Sequence, residues 1–104
     1  MNGGMQTPWG VAHTKQQFDE GVFWVQTAEH GGILIDAAKA KELLSDKAIN
    51  IGQHWNDFLA FEQDHDMMVV LYEHPEFYPW TEEELTEKFA EESLRRAHPE
   101  YFTA

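Results

Sequence analysis

The pattern of hydrophobic and polar positions changes period near residue 36. Before it, apolar residues fall in short β-branched and aromatic runs bounded by glycine; after it, they recur at helical spacing among acidic residues. The clearest strand is Gly21-Val22-Phe23-Trp24-Val25-Gln26-Thr27. Its alternation sets Val22, Trp24 and Gln26 on one face and Phe23, Val25 and Thr27 on the other. Ala28-Glu29-His30-Gly31 reads as a turn and Gly32-Ile33-Leu34-Ile35 as the next strand, with the glycines suited to a hairpin turn. Trp9-Gly10-Val11-Ala12-His13 supplies a first short strand, so residues 9–35 are expected to form a three-stranded antiparallel meander.

The second half predicts helices. Asp36 is placed to cap a helix through Leu44. Residues 45–53 read as irregular, a helical piece follows from Asn56 to Phe61, and another runs from Asp64 to Tyr72. Asp64 or Asp66 would suit its N-terminus, and His74-Pro75 closes it, because a residue before proline disfavours helix. Thr81-Glu82-Glu83-Glu84 has the form of a capping box, with Trp80 and Leu85 at the staple positions. Leu85, Phe89, Ser93 and Ala97 make the apolar stripe of that last helix, widened by Ala90 and Leu94. Glu84–Lys88, Glu91–Arg95 and Glu92–Arg96 are i,i+4 pairs, and Pro99 stops the helix. The expected fold class is α+β: an N-terminal three-stranded antiparallel β-meander followed by three to four helices. Residues 1–7 read as a flexible, glycine-rich tail and residues 8–104 as a single domain, without internal repeat or linker.

Composition adds limits. The chain has 104 residues, no cysteine, four Trp, seven Phe and three Tyr. Aromatics bury much area each, which helps a small core and argues against disorder. The absence of cysteine leaves no disulfide or Cys-based zinc site. No signal-peptide pattern opens the sequence, and the longest apolar run, Met67–Tyr72, is too short to span a bilayer. A soluble, cytoplasmic protein is expected.

Charge changes the picture most. The formal net charge is −12, and thirteen of the nineteen carboxylates lie from Asp57 onward, opposed only by Lys88, Arg95 and Arg96. Solubility needs far less, and such density repels itself. Anionic membranes and nucleic acid backbones would both repel the chain, so neither is expected as a direct partner. Glu82, Glu83 and Glu84 suit a helix N-terminus, and Glu91 and Glu92 have basic partners; a solvated helix face accounts for those. A set spread over the helices, Asp57, Glu62, Asp64, Asp66, Glu73, Glu76, Glu83, Glu87 and Glu91, is the candidate partner-binding surface. Such carboxylates could imitate the charge of duplex DNA, about one per 1.7 Å of axis, and attract a Lys/Arg-lined channel. Phe77, Tyr78 and Trp80 would anchor the contact if exposed.

Two alternatives remain open. His54 and Asp57 would share a helix face, and with Asp64 and His65 offer carboxylate and imidazole ligands for a small metal-dependent enzyme, although no HExxH-type motif is present. Otherwise the aromatic cluster serves a non-mimetic adaptor and the charge serves solubility. No G-x-S-x-G or cysteine nucleophile is present, and His30-Gly31-Gly32 lacks the lysine and following helix of a phosphate loop. No cofactor and no catalytic residue is expected.

Thr7-Pro8-Trp9-Gly10, Thr27-Ala28-Glu29-His30-Gly31-Gly32, and the segment from Phe61 to Val70 with His74-Pro75-Glu76-Phe77 together resemble a small uncharacterised family from bacterial mobile elements and phages. The resemblance covers roughly residues 7–78. It implies the company of mobile DNA, and no chemistry that transfers to single residues. In character the chain is similar to anti-CRISPR and anti-restriction proteins. The resulting expectation is a non-enzymatic inhibitor that binds a host nucleic-acid-binding defence protein, such as a CRISPR effector, by DNA mimicry.

Overall fold

The computed structural model describes residues 6–28, 30–63, 66–80 and 87–103. A small hairpin of β1 (Gln6–Thr7) and β2 (Gly10–Val11) precedes a five-stranded antiparallel sheet. The sheet contains β3 (Thr14–Asp19), β4 (Val22–Gln26), β5 (Gly31–Asp36), β6 (Gln53–Trp55) and β7 (Phe58–Glu62), in the order β3-β4-β5-β7-β6. Helices α1 (Ala37–Leu43) and α2 (Asp46–Ile51) connect β5 to β6. Helices α3 (Met67–Glu73) and α4 (Glu87–Ala97) follow, each succeeded by a short 3-10 helix, Pro75–Trp80 and Pro99–Phe102. The chain is therefore α+β.

The alternation read from β4 holds and divides two apolar clusters. Val22 and Trp24 join Ile33, Ile35, Leu59 and Phe61 beneath the helices, with Ala40, Ala48, Met67–Leu71, Ala90 and Leu94 packed on them. Phe23 and Val25 face the other way with Leu34, Phe58 and Ala60, where Trp9, Ala12 and Trp55 cover part of the sheet. Both faces of the central strands are thus shielded, which suits the near-continuous apolar runs of β5 and β7.

Several expectations are corrected. Residues 9–13 do not form the first meander strand. That place belongs to β3, whose sequence Thr-Lys-Gln-Gln-Phe-Asp exposes every residue but Phe18. An edge strand needs little apolar content, and charged side chains there discourage further pairing. Residues 6 and 7, expected in a tail, form β1, and Thr7 is buried. The piece from Asn56 to Phe61 is no helix: Asn56-Asp57 turns a hairpin in which Trp55 pairs with Phe58, and Asn56 takes a positive φ of 53°. Residues 46–51, read as irregular, form α2, capped by the Ser45 hydroxyl accepting from Ala48 N at 3.1 Å. Asp36 caps α1 as expected, accepting from Lys39 N at 3.2 Å. The capping box and staple of the last helix involve residues 81–86, outside the described residues. On α4 the buried positions are Ala90 and Leu94, while Phe89 is 46% exposed, so the stripe is rotated from the expected one.

Against the expectation of no internal repeat, a short one marks the ends of two helices. His74-Pro75-Glu76-Phe77-Tyr78 ends α3, and His98-Pro99-Glu100-Tyr101-Phe102 ends α4. The two histidines adopt matching backbone angles, φ −132° and ψ 73° against φ −138° and ψ 68°. Each imidazole Nδ1 meets the glutamate two residues on, at 2.8 and 3.1 Å, and a 3-10 turn begins at the proline.

The motifs T-P-W-G and T-x-x-H-G-G dock on each other. Thr7 Oγ1 donates to Gly10 O at 2.7 Å and accepts from Trp9 N at 3.1 Å. Thr27 Oγ1 lies 3.3 Å from Trp9 O and 2.6 Å from His30 O, and His30 N donates back to that hydroxyl. The Trp9 ring then lies flush on Gly32. A Cβ at Gly32 would sit 2.5 Å from Trp9 Cη2 and 2.3 Å from the backbone oxygen of Phe61. Gly32→Ala is expected to cost about 3 kcal/mol, because strand backbone must shift to admit the methyl group; urea unfolding of the two proteins measures it.

Candidate functional site

The acidic residues read from the sequence separate into three groups once folded. The first is engaged internally. Glu73, at the end of α3, accepts from Ser45 N at 2.9 Å, from Ser45 Oγ at 2.5 Å and from Tyr101 Oη at 2.5 Å. It thereby joins the α1–α2 junction, α3 and the final 3-10 helix. Burial, then the hydrogen bond to Glu73, pushes the Tyr101 hydroxyl above its ordinary pKa. Asp66 was expected as a helix cap. It makes no capping bond, and its Oδ1 lies 2.7 Å from His98 Nε2. Glu76 pairs with His74, whose Nε2 donates to the carbonyl of Leu43 at 2.7 Å, satisfying an oxygen left over at the end of α1. Glu91 pairs with Arg95 at 3.0 Å, as expected; Glu92 lies 4.0 Å from Lys88 rather than beside Arg96. Asp66, Glu73 and Glu76 thus tie helix ends together, while Glu91 and Glu92 pair within α4.

The second group, Asp64 and Glu83, lies outside the described residues, as do His65 and the side chains of Glu87, Tyr78 and Trp80. Phe77, the proposed apolar anchor, is buried at 4% exposure and packs 5.4 Å from the Phe18 ring, so it belongs to the core. The third group, Asp57 and Glu62, stays on the surface: Asp57 is exposed in the β6–β7 turn and Glu62 half-buried at the end of β7.

The metal reading loses its geometry. His54 lies in β6 opposite Leu59 and Asp57 lies in the turn, so the two do not share a helix face. Among the described residues no group of three or more His, Asp or Glu is placed to hold a metal ion.

A surface that the sequence reading missed lies at the opposite end of the outer sheet face. An open groove of about 350 Å³ runs between the β3–β4 turn and α1, lined by Glu20, Phe23, Asp36, Lys39, Glu42 and Phe58 among others. Phe23 and Phe58 form its floor as an edge-to-face pair with centroids 6.2 Å apart. Gly21, at φ +76°, brings the turn against α1; its carbonyl accepts from Asp36 N at 2.8 Å, and a Cβ there would stand 3.3 Å from that of Asp36. Glu20 and Glu42 are exposed and have no ion-pair partner among the described residues. Asp57 stands close by, for its carbonyl accepts from Ala37 N at 2.9 Å. The available signal was the strand alternation itself, which put Phe23 on the face away from Val22 and Trp24.

These features define a small acidic α+β domain whose polar clusters tie helix ends together and whose outer sheet face carries a carboxylate-rimmed aromatic groove. The chain belongs to the family described as a domain of unknown function (DUF7007), whose model matches residues 2–104. No curated protein and no solved structure matches it. No helix among the described residues is long and apolar enough to cross a membrane.

The ties generate two expectations. Glu73→Ala should cost about 2–3 kcal/mol and Tyr101→Phe about 1 kcal/mol, and the double variant should lose less than the sum, since both remove one shared bond; denaturant melts of the four proteins test this. For His98, burial works against the charged ring, but the hydrogen bonds to Asp66 and Glu100 prevail and raise its pKa above the ordinary 6.5. A raised folded pKa gives stability that is complete below about 6.5 and lost as pH rises through the folded value. The stability gap between the native protein and His98→Gln should therefore be wide at a pH of about 5.5 and narrow by about 8.5, read from melts at both.

Proposed function

We propose that this domain acts by stoichiometric binding, without chemistry of its own, to a basic nucleic-acid-binding surface of another protein. A host defence complex such as a CRISPR effector is the setting suggested by the motif resemblance to mobile-element proteins. The observation that carries the reading is the combination of a net charge of −12 with exposed carboxylates around a groove that has an aromatic floor. Exposed charge of one sign speeds encounter with an oppositely charged surface, and an aromatic floor gives it a place to lodge. Ser45, His74, His98 and Tyr101, side chains of kinds that serve in catalysis elsewhere, here bind carboxylates or a carbonyl that join one helix end to another.

The proposed mimicking surface keeps Asp57 and Glu62 of the set expected from the sequence and adds carboxylates beside the α1 groove. Asp66, Glu73, Glu76 and Glu91 are committed to internal partners, so the carboxylates proposed to meet the target are the exposed Glu20, Glu42 and Asp57 and the half-buried Glu62, with Asp19, exposed at the end of β3, extending the field.

The test is capture of host nucleic-acid-binding proteins on the immobilised domain, followed by a DNA- or RNA-displacement assay with the captured protein. Displacement should saturate at one equivalent of domain, and affinity should fall on the order of tenfold or more between roughly 0.05 and 0.3 M salt. A captured protein that keeps its nucleic acid at saturating domain would overturn the reading; salt-indifferent retention would point to a non-mimetic adaptor instead.

A further inference from the structure

We infer that the groove between the β3–β4 turn and α1 takes the side chain of an arginine on the partner's basic surface, an inference that rests on the function proposed above. The groove offers what a guanidinium requires. Its floor is two aromatic rings, which attract a planar cation, and Glu20, Asp36 and Glu42 line it against Lys39, with the Lys15 ammonium beside the Phe23 ring, leaving a formal charge of −1. The carboxyl of Asp36 already spends one oxygen on Lys39 N, so Glu20 and Glu42 are the groups free to accept from the guest.

The molecule holds one of its own arginines in the same way. The Arg95 guanidinium lies 3.9 Å from the centroid of Phe102 while its Nε donates to Glu91 at 3.0 Å. An aromatic plate with a carboxylate beside it is thus a working guanidinium holder in this chain. In the groove the plate and the carboxylates are present and the chain supplies no arginine. Lys15, an exposed side chain, already stands 5.1 Å from the Phe23 centroid, so an entering guanidinium either displaces that ammonium or stacks on Phe58. Arginine fits better than lysine because its planar fork can stack on a ring and donate to two carboxylates at once, whereas an ammonium is a compact, strongly hydrated charge.

The experiment titrates isotopically labelled full-length domain with the peptides Ac-Gly-Arg-Gly-Arg-Gly-NH2 and Ac-Gly-Lys-Gly-Lys-Gly-NH2 at low salt, followed by NMR. Ring signals of Phe23 and Phe58 and amides of Gly21 and Glu42 should move first, with the arginine peptide binding about threefold tighter than the lysine one. Glu20→Gln and Glu42→Gln should each weaken it by about two- to fivefold, and Asp46→Asn, an exposed carboxylate on α2 outside the groove, should not. Thermal melts confirm that these surface variants stay folded. Salt-sensitive binding whose shifts centre elsewhere, equal affinity for the two peptides, or a Glu20→Gln/Glu42→Gln protein that binds as before would overturn the groove assignment and leave the broader binding reading standing. Self-association abolished by Arg96→Ala would overturn it too, by making a second copy the occupant. Absence of binding to either peptide, together with failure to displace nucleic acid, overturns both.

Discussion

Helix α3 dictates much of this architecture because it has almost no polar face to give to water. Met67, Met68, Val69, Val70 and Leu71 are all buried, so consecutive residues point in every direction around the axis and each must find apolar contact. Packing against β7 meets one side, and α2 and α4 meet others. A helix of seven residues so enclosed is not stable alone, and it also leaves polar termini inside the protein. The His-Pro-Glu units and Glu73 answer that second requirement. His98, from the end of α4, binds Asp66 at the start of α3, while His74, at the end of α3, binds the last carbonyl of α1. Proline stops each helix, and glutamate holds the imidazole in position.

The same logic explains why so much of the negative charge proved structural. In the sequence, Asp66, Glu73 and Glu76 lack nearby basic residues and look unspent. In the fold their partners are histidine rings, serine and tyrosine hydroxyls and a backbone N–H, and three of these residues, Ser45, His98 and Tyr101, lie 28 to 32 positions away. A search restricted to Lys and Arg at i,i+4 spacing cannot find such partners, because a carboxylate also accepts from hydroxyls, imidazole and backbone N–H groups. Among the described residues, the carboxylates outside these ties include Glu20, Glu42 and Asp57, on or beside the rim of the α1 groove.

What was legible in the chain depended on whether local pattern and tertiary environment agreed. The two faces of β4, the cap of α1 and the end of α3 followed from a few adjacent residues. β3 was not legible because an edge strand with only Phe18 buried carries no alternation to read. The β6–β7 hairpin was ambiguous in principle: Asn56-Asp57 serves equally as helix cap or two-residue turn, and Phe58-Leu59-Ala60-Phe61 loses its period when both faces of a strand are covered. The repeated His-Pro-Glu was visible as letters, and its meaning required seeing both copies end a helix. Trp9 on Gly32 shows the reverse case, in which motifs noticed for their spelling prove to be two halves of one contact.

That contact also shapes the candidate groove. By pressing the Trp9 ring on Gly32, the N-terminal hairpin covers one end of the outer sheet face, where Val25 and Ala12 are buried. The other end keeps Phe23 and Phe58 only partly covered, with the α1 cap and the Gly21 turn raising carboxylates beside them. Two aromatic rings left half-open at the rim of a small domain cost stability that burial would have supplied. Three lining carboxylates near one another add repulsion. Neither cost is needed to build the sheet, since Leu34 and Ala60 between them are already buried. A basic guest would relieve both at once, by covering the rings and neutralising the rim, and this coincidence of two separate penalties at one place is the physical argument for the docking site proposed above.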